Sequence, residues 1–416
     1  MAVELKPGAG QRIMQRLDEL AAFTEDPPGL TRTYLTPVQR AAGERIIGWM
    51  REAGLEAGFD EIGNVVGRYG APGLPTVLIG SHFDTVRNGG KYDGQYGVIG
   101  PIGCVAALRE AGVRLPFAIE IIAFADEEGV RFRSTFLGSH AAAGKFDFSL
   151  LERRDDQGVS MAEALRNYGL DPTQIGRAAR DRQRALCYLE IHIEQGPVLL
   201  QENLPLGVVT SIAGVSRFQA TCTGLAGHAG TVPMHMRQDA CSAAAELALY
   251  VEKRCSGIES LLGTVGLFSV RGGSANVISG IVDFSVDLRG ATDALREAAV
   301  SDILGAAERI GEERKVRFEF NKIFEAGATP CAPWLIERIA AGIERHGVPV
   351  RRLPSGATHD AVAMAELCDV GMIFVRCGNG GISHNPAEIM TAEDAEIGAR
   401  VLLDVILSLE ARVRAY

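Results

Sequence analysis

Short apolar runs alternate along the chain with segments whose apolar residues recur at helical spacing. Two of the helical segments are residues 97–112, which are rich in glycine and alanine, and residues 392–413, which are amphipathic. This alternation predicts an α/β layer sandwich built around a largely parallel sheet. The apolar runs have the composition of buried strands and cover residues 76–84, 118–129, 187–196 and 371–378.

The middle of the chain has a different pattern. Segments that alternate between apolar and polar side chains, as half-exposed antiparallel strands do, are mixed there with helical segments. This order predicts a small α+β domain at 213–328, inserted into an α/β domain formed by residues 1–212 and 329–416. The segments are, in chain order, a strand at 216–230, a helix at 236–255, a strand at 276–290, a helix at 292–313 and a strand at 316–324.

Composition and charge narrow the classes of function. The 416 residues carry a formal net charge of -10 and are 47% hydrophobic, which is typical of globular proteins and argues against non-specific nucleic-acid binding. No apolar run is long enough to span a bilayer, and the start of the chain has no apolar segment of a secretory signal. The eight cysteines form no CxxC pair, so we expect reduced thiols and a cytoplasmic protein.

Acidic and histidine side chains follow the apolar part of three predicted strands. His82 and Asp84 face the same side of an extended segment, and the acids Asp126, Glu127 and Glu128 follow the next strand. Ligands of α/β proteins lie beyond the carboxyl ends of such strands. Three acids at a buried strand end repel one another unless cations or donors compensate, which indicates one metal-binding carboxylate beside one that transfers protons. For His82 and Asp84 alone, a strand-end histidine and a capping aspartate are the simpler interpretation.

Three further residues could complete a metal site. Gly89–Gly94 is typical of a tight loop, and it would bring Asp93, whose carboxylate has two oxygens, close to a ligand. A plain turn is the alternative for this loop, and a structural role is the alternative for His192 and for His384. Mixed histidine and carboxylate ligands suit Zn²⁺, Mn²⁺, Co²⁺ or Ni²⁺, whereas Ca²⁺ and Mg²⁺ prefer oxygen atoms alone.

Nine strings occur in a fixed order over nearly the whole chain. Together they resemble the amidase branch of the M20 metallopeptidase family, which includes allantoate amidohydrolases, N-carbamoyl-L-amino-acid hydrolases and β-ureidopropionases. The strings are IGNVVGR (62–68), GSHFDTVRNGGKYDG (80–94), FADEEGVRF (124–132), FLGSHAAAG (136–144), LEIHIEQGPVL (189–199), GHAGTVPM (227–234), SANVISG (274–280), DLRG (287–290) and GISHNPAE (381–388).

The resemblance implies two divalent metal ions per subunit, zinc or manganese, with cobalt or nickel as further candidates. It implies that Asp93 bridges the two ions and that Glu127 is the general base, with Asp84 bracing the ligands. In the peptidase branch the position of His192 is usually an acid, so the histidine favours an amidase. The remaining implied ligands are His82 and His192 for one ion, and Glu128 and His384 for the other.

The resemblance also implies an architecture and a substrate site. The expected catalytic domain is a zinc-peptidase-like three-layer sandwich, and the inserted ferredoxin-like domain would form a homodimer and act as a lid. His228 would polarise the scissile carbonyl, and Arg289 would hold a substrate carboxylate. The other expected contacts with a small carboxylate substrate are Gln195, Asn276, Thr358 and His359.

Three places depart from the pattern of the branch. Thr358 stands where some members have glycine, and His140 stands where arginine is common. Gln95 and Tyr96 replace a smaller or aliphatic pair. These departures concern specificity, so the reaction class is predicted more firmly than the substrate. The leading hypothesis is an amidohydrolase for an N-carbamoyl or ureido acid; the alternatives are an M20-type dipeptidase or aminoacylase, and a non-catalytic metal-binding protein of the same fold.

Overall fold

The computed structural model of the chain describes residues 3–410. Residues 1, 2 and 411–416 lie outside this range, and with them the end of the helix predicted for 392–413. Within the described residues there are sixteen strands: β1 (Glu56–Phe59), β2 (Val65–Tyr69), β3 (Thr76–His82), β4 (Ala118–Phe124), β5 (Ala185–Ile193), β6 (Leu206–Ile212), β7 (Gly214–Thr223), β8 (Gly227–His228), β9 (Leu261–Thr264), β10 (Phe268–Arg271), β11 (Val277–Ile278), β12 (Ile281–Gly290), β13 (Arg317–Ala326), β14 (Thr329–Pro330), β15 (Arg352–Ser355) and β16 (Val370–Val375).

The same part of the chain forms eleven α-helices, and four short 3₁₀ segments lie at Phe148–Glu152, Pro172–Ala178, Met234–Met236 and Asn379–Gly381. The α-helices are α1 (Ala9–Ala21), α2 (Pro37–Glu52), α3 (Tyr96–Glu110), α4 (Leu137–Ala142), α5 (Met161–Asn167), α6 (Val198–Gln201), α7 (Ala240–Cys255), α8 (Asp293–Arg314), α9 (Pro333–Arg345), α10 (Ala361–Met364) and α11 (Ala392–Ser408).

Two compact units make up the described chain. The second unit comprises Ser211–Pro330 and Pro354–Thr358. The first comprises the described residues up to Thr210, then Cys331–Leu353, and those from His359 onwards. The domain boundaries at 212/213 and 328/329 stay a prediction, as do the dimerisation and lid roles of the insert.

A mixed sheet with the strand order β1-β2-β4-β3-β5-β16-β6 forms the centre of the first unit. The four strands from β4 to β16 are parallel to one another. β1 and β2 on one side and β6 on the other are antiparallel to their neighbours. The predicted α/β class is confirmed, with a parallel centre and antiparallel edges.

Alternation along β5 separates the two faces of this sheet. Leu189 and Ile191 belong to the apolar core that also contains residues of α3 and α11. Glu190 and His192 face the opposite side, where Glu190 accepts a hydrogen bond from the backbone N–H of Ala361 at the start of α10. Helices therefore cover both faces, and the polar side chains of β5 lie on the face of the short helix.

Glycines allow α3 and α11 to pack closely. A Cβ at Gly97 would lie 2.4 Å from the carbonyl oxygen of Ile191, and one at Gly398 would lie 2.5 Å from the hydroxyl of Tyr96. That hydroxyl donates a hydrogen bond to the carbonyl of Ala395 in α11. The glycine-rich and alanine-rich composition of α3 thus reflects its tight packing between the sheet and α11.

The second unit contains an antiparallel sheet with the order β10-β12-β7-β13, and β9 also pairs with β12. α7 and α8 pack on it and share its apolar core. Asp239 caps α7 and Thr292 caps α8, each by accepting hydrogen bonds from backbone N–H groups of the first turn. β9 and β10 pair with opposite ends of β12, and when they are counted as one interrupted strand the element order of sheet and helices is β-α-β-β-α-β, the pattern known as ferredoxin-like.

Two predicted strands of this unit are each interrupted. The segment 216–230 divides into β7 and β8, and the segment 276–290 divides into β11 and β12. The breaks meet, because Gly224 donates a backbone hydrogen bond to the carbonyl of Gly280 at 2.8 Å. A Cβ at Gly224 would lie 2.0 Å from the carbonyl oxygen of Gln238, so only glycine fits there. β8 and β11 consequently leave the main sheet and form a separate two-stranded ribbon.

All eight cysteines are free, and six of them are buried. No helix within residues 3–410 is both long enough and apolar enough to cross a bilayer. The cytoplasmic location stays a prediction.

Candidate metal centre

The carboxyl ends of three adjacent parallel strands meet in the first unit. β3 ends at His82, β4 is followed by the acids at 126–128, and β5 ends one residue after His192. β3 lies between β4 and β5 in the sheet. Side chains more than a hundred positions apart in the chain are therefore brought to one edge of the sheet, where α/β proteins place their ligands.

Asp84 fixes the acidic segment against the end of β3. Its Oδ1 accepts the backbone N–H of Glu127 at 3.0 Å, and its Oδ2 accepts that of Glu128 at 3.2 Å. The backbone carbonyl oxygen of Asp84 lies 3.1 Å from Nδ1 of His82, and its Oδ1 lies 3.5 Å from the same atom. Asp84 is itself buried. This one residue therefore positions both the imidazole and the two glutamates.

His82 and His192 each direct their Nε2 atom towards Oδ1 of Asp93. Nε2 of His82 lies 3.6 Å from Oδ1 of Asp93, and Nε2 of His192 lies 3.3 Å from it. Nδ1 of His192 lies 2.8 Å from the carbonyl oxygen of Ile193. When Nδ1 donates to a carbonyl, Nε2 carries the lone pair that binds a metal. The backbone N–H of Gly94 donates to Nε2 of His192 at 3.1 Å.

The second oxygen of Asp93 faces a different group. Oδ2 lies 3.1 Å from Nε2 of His384, and the same nitrogen lies 3.4 Å from Oε1 of Glu128. His384 has a left-handed backbone with φ of 54°, and its side chain is half exposed. Asp93 thus lies between a buried pair of histidines and a more accessible histidine–glutamate pair.

Glycine is required directly after Asp93. Gly94 has φ of 68°, which favours glycine. A Cβ at this position would lie 2.4 Å from Nε2 of His82. The loop that carries Asp93 therefore approaches the histidine closely only because Gly94 has no side chain.

Burial disfavours the charged forms of the acids. It raises the pKa of Glu127 well above its usual value, and with the charge of Asp93 it raises the pKa of Glu128 to about 7. Burial acts on Asp93 in the same direction, but hydrogen bonds to the three histidines outweigh it and hold the pKa of Asp93 well below its usual range. A hydrogen bond with Asp93 raises the pKa of His384 to about 9. Positive charge close to Asp93, Glu127 and Glu128 stabilises the ionised form of these carboxylates.

The donor atoms fit divalent cations. Ligands about 2.0–2.1 Å from a tetrahedral ion lie about 3.3 Å apart, close to the separations of 3.1–3.6 Å around Asp93. Imidazole nitrogen combined with carboxylate oxygen suits borderline transition metals. The donor sets whose ligand atoms all lie within 4.8 Å of one another are His82–Asp93–His192, Asp93–Glu128–His384, His82–Glu127–Glu128 and Glu190–His192–His359.

Two expected substrate contacts lie beside these donors. Nε2 of Gln195 donates to Oγ of Ser383 at 3.2 Å and lies 3.4 Å from Nε2 of His384. His359 is 1% exposed, and its ring centroid lies 4.5 Å from that of His192. Burial, with a smaller effect of His192, lowers the pKa of His359 well below its usual value. His359 therefore lies behind a predicted ligand rather than on an open surface.

His228 and Asn276 are neighbours in the second unit. The β8–β11 ribbon pairs His228 with Val277, and the N–H of Ala229 donates to the carbonyl of Asn276 at 3.0 Å. Nδ1 of His228 accepts the backbone N–H of Gly230 at 3.0 Å. Both predicted substrate contacts are exposed, and the ribbon holds them side by side.

Arg289 is held by two acceptors within the second unit. Its Nε donates to Oδ1 of Asp287 at 3.0 Å, and its Nη1 donates to the carbonyl of Gly356 at 2.7 Å. The other oxygen of Asp287 pairs with Arg217 at 2.6 Å. Thr358 lies in the same short segment as Gly356 and is half buried. Of the five guanidinium N–H groups of Arg289, three remain for a ligand after these bonds among the described residues.

Gln95, Tyr96 and His140, which depart from the family pattern, lie in different parts of the fold. Tyr96 is a packing residue of α3, and Gln95 beside it is fully buried. Neither polar atom of the Gln95 amide has a hydrogen-bond partner among the described residues. His140 lies in α4, with its Nε2 4.0 Å from a carboxylate oxygen of Glu366. Their effect on specificity stays a prediction.

Sequence reasoning missed two buried acids. Glu190 accepts hydrogen bonds from Ser81 at 2.8 Å, from the Tyr188 hydroxyl at 3.1 Å and from the backbone of Ala361. An acid that alternates with His192 inside an apolar strand was a signal for it. Glu388 accepts hydrogen bonds from the loop before Asp93, and its place in the string GISHNPAE was the available signal.

Known proteins that are similar to this chain identify its family. Residues 78–408 match the model of Peptidase family M20/M25/M40. The N-carbamoyl-L-amino acid amidohydrolase of Geobacillus stearothermophilus is 41% identical over 403 residues, which cover 96% of this chain and 98% of the relative. The allantoate deiminase of Arabidopsis thaliana is 40% identical over 428 residues, which cover 94% and 81%.

A solved structure of an amidase of the hydantoinase/carbamoylase family from Burkholderia multivorans has a TM-score of 0.90 to this chain. The two are 33% identical, and the match covers 98% of each chain. The resemblance predicted from the nine strings is confirmed. The chain therefore belongs to the M20/M25/M40 peptidase family, in the branch of its amidases.

Proposed function

We propose that the chain is a dinuclear metal-dependent amidohydrolase. Its substrate would be an N-carbamoyl or ureido acid, either allantoate or an N-carbamoyl-L-amino acid, cleaved at a linear C–N bond. The position of Asp93 carries this proposal, because its two oxygens face two different donor sets. The names of the Geobacillus and Arabidopsis relatives support the substrate class.

In this proposal Asp93 would be a ligand shared by two divalent cations per subunit. His82 and His192 would hold one cation, and Glu128 and His384 the other. Zinc or manganese fits these donors, and cobalt or nickel also suits them. Such cations, when bound, lower the pKa of water and polarise a carbonyl group.

Glu127 would move the proton in the reaction. Its carboxylate lies within 4.8 Å of donor atoms of His82 and Glu128. It would accept a proton from the attacking water as the water oxygen bonds to the carbamoyl carbon. It would then give the proton to the nitrogen that leaves as the C–N bond breaks. The carbamate produced would decompose to ammonia and carbon dioxide.

The second unit would supply contacts to the substrate. His228 is proposed to polarise the scissile carbonyl, and Arg289 to form a charge-assisted pair with the substrate carboxylate. The bonds of Arg289 to Asp287 and Gly356 orient its guanidinium, which supports the role of a preformed clamp. The further proposed contacts are Gln195, Asn276, Thr358 and His359.

The two alternative functions are less well supported. In the peptidase branch an acid usually stands at the position of His192, so a dipeptidase or aminoacylase fits this donor set less well. A non-catalytic metal-binding protein would have no use for Glu127, which lies beside the donors but is not required by either set around Asp93.

The proposed function can be tested by assaying a panel of substrates before metal is removed, after it is removed and after it is restored. We expect ammonia release from allantoate or from N-carbamoyl-L-amino acids, loss of that release after chelation, and its return with Mn²⁺, Zn²⁺, Co²⁺ or Ni²⁺. Dipeptides run in parallel should give no free amino acids. Release from dipeptides alone would favour the peptidase, and release that persists after verified metal removal would refute metal dependence.

Two neighbouring glutamates separate proton transfer from metal binding. We expect Glu127→Gln to lower kcat by about 10²- to 10⁴-fold, because it removes the proton acceptor, with metal content unchanged. Glu128→Gln is the matched variant and should lower metal content. Steady-state kinetics and metal analysis of both variants give the result. Near-normal turnover of metal-loaded Glu127→Gln would contradict the base assignment.

Arg289 and Arg217 form a matched pair around Asp287. We expect Arg289→Ala to raise KM by about 10- to 100-fold, since it removes charge-assisted hydrogen bonds worth about 1.5–3 kcal/mol. Arg217→Ala should leave KM near the wild-type value, although it removes a partner of the same aspartate. The clamp is wrong if both variants have the KM of the wild type.

We also propose a homodimer through the second unit. β10 is an edge strand that pairs with β12 on one side, and among the described residues it has no second partner strand. Leu267, just before this strand, and Phe268, its first residue, are 72% and 42% exposed. Sedimentation equilibrium should give twice the 44.4 kDa of the chain, and Phe268→Arg should shift the mass towards one chain. A monomeric wild type would refute the dimer.

A further inference from the structure

Two loops of the first unit carry the accessible side of the candidate centre. One is the glycine-rich loop that ends at Asp93, and the other is the segment 381–388, which contains His384. The two loops are almost 300 positions apart in the chain. No strand pairing between described residues joins the two loops directly.

Glu388 joins the two loops through both of its carboxylate oxygens. Oε1 accepts the backbone N–H groups of Tyr92 at 2.9 Å and of Asp93 at 3.1 Å. Oε2 accepts the hydroxyl of Ser383 at 2.7 Å. Glu388 is 4% exposed, so these bonds form where water is largely excluded and cannot easily be replaced.

The glycine loop is shaped around this carboxylate. A Cβ at Gly90 would lie 2.2 Å from Oε1 of Glu388 and 2.6 Å from its Cβ. The absence of a side chain at Gly90 therefore allows Glu388 to lie directly against the loop. Glycine is therefore needed on both sides of Asp93, at Gly90 for Glu388 and at Gly94 for His82.

The hydrogen bond between Glu388 and Ser383 lies next to His384. Ser383 precedes His384 directly, and its Oγ lies between Glu388 and Nε2 of Gln195, which approaches His384 to 3.4 Å. The side chain of His384 is half exposed, so one side of its imidazole faces solvent. Fixing Ser383 limits where the imidazole of His384 can lie relative to Asp93.

We propose that Glu388 is a positioning residue that sets the distance between Asp93 and His384. This inference rests on the proposed metal function and deepens it. Glu388 touches neither donor side chain in the proposed sets; it acts through the backbone of Asp93 and through Ser383. A carboxylate suits the task because both oxygens accept. In a glutamine only one atom accepts, so its NH₂ group would face either the two backbone N–H groups or the Ser383 hydroxyl, which would then have to accept instead of donating.

Manganese binding to the full chain tests the role of Glu388. Wild-type protein loaded with Mn²⁺ is dialysed against buffers of falling free Mn²⁺, and bound metal per chain is measured. We expect Glu388→Gln to weaken binding of at least one ion by about 10- to 100-fold, as outer partners of metal ligands do. Ser383→Ala removes one hydrogen bond of about 1 kcal/mol and should weaken it about 5-fold.

Glu396→Gln is the matched structural control. Glu396 accepts the backbone N–H of Gly10 at 2.9 Å and so joins α1 to α11, away from the donors. We expect its Mn²⁺ affinity to equal that of the wild type, even if its melting temperature falls. If Glu388→Gln does not fold, Ser383→Ala together with this control decides the question.

The outcomes separate the inference from the proposed function. Wild-type affinity in both Glu388→Gln and Ser383→Ala overturns the inference and leaves the metal centre standing. Equal weakening in Glu396→Gln also overturns it, because the effect would then be general loosening of the fold. A wild type that binds no Mn²⁺, and no other divalent ion in the same assay, overturns the centre and the inference together.

Discussion

Asp93 is a buried carboxylate whose two oxygens face three imidazoles, and the first unit is arranged so that this contact can form. An isolated charge at such a site would be costly, so each element around it supplies a compensating group. Parallel strands bring His82 and His192 to the same edge of the sheet. The loop before Asp93 reaches that edge because glycines leave space for its neighbours. Were β3 and β5 antiparallel, their carboxyl ends would lie at opposite edges and the two histidines could not share one oxygen.

The sequence predicts best those strands and helices whose residues share one environment, such as burial on both faces. The apolar run predicted over 76–84 corresponds to β3 at Thr76–His82, and the helix predicted over 97–112 corresponds to α3. Strands of a parallel centre are buried on both faces, so their composition alone reveals them. The enzyme class, hydrolysis of carbon–nitrogen bonds other than peptide bonds, was likewise predictable, because ordered strings identify the family.

The parts that could not be predicted depend on contacts between distant segments. β1 and β2 are only four and five residues long and partly exposed, so neither forms an apolar run that would stand out in the sequence. The breaks in the strands of the second unit arise where Gly224 meets Gly280, and neither segment reveals this contact by itself. Glu388 lies 295 positions from Asp93, and local patterns carry no information about such a partner. Strand ends indicated His82, Glu128 and His192 as candidate donors, whereas Asp93 and His384 stand in loops and became candidates through the family strings.

The pairing of β12 with β7 has a consequence for how such an enzyme could change over evolution. Asp287 stands opposite Arg217, and Arg289 stands opposite Val215, so the sheet register determines the face from which Arg289 projects. A slip of one residue would turn the guanidinium to the other side. The segment Pro354–Thr358 lies outside that register, although Gly356 contacts the same arginine. Because that contact is made by a backbone carbonyl, side chains in this segment, such as the threonine at 358, can change while the bond to Arg289 is kept. Under the proposed function this would let the preference for one acid diverge while the contact with the carboxylate is retained.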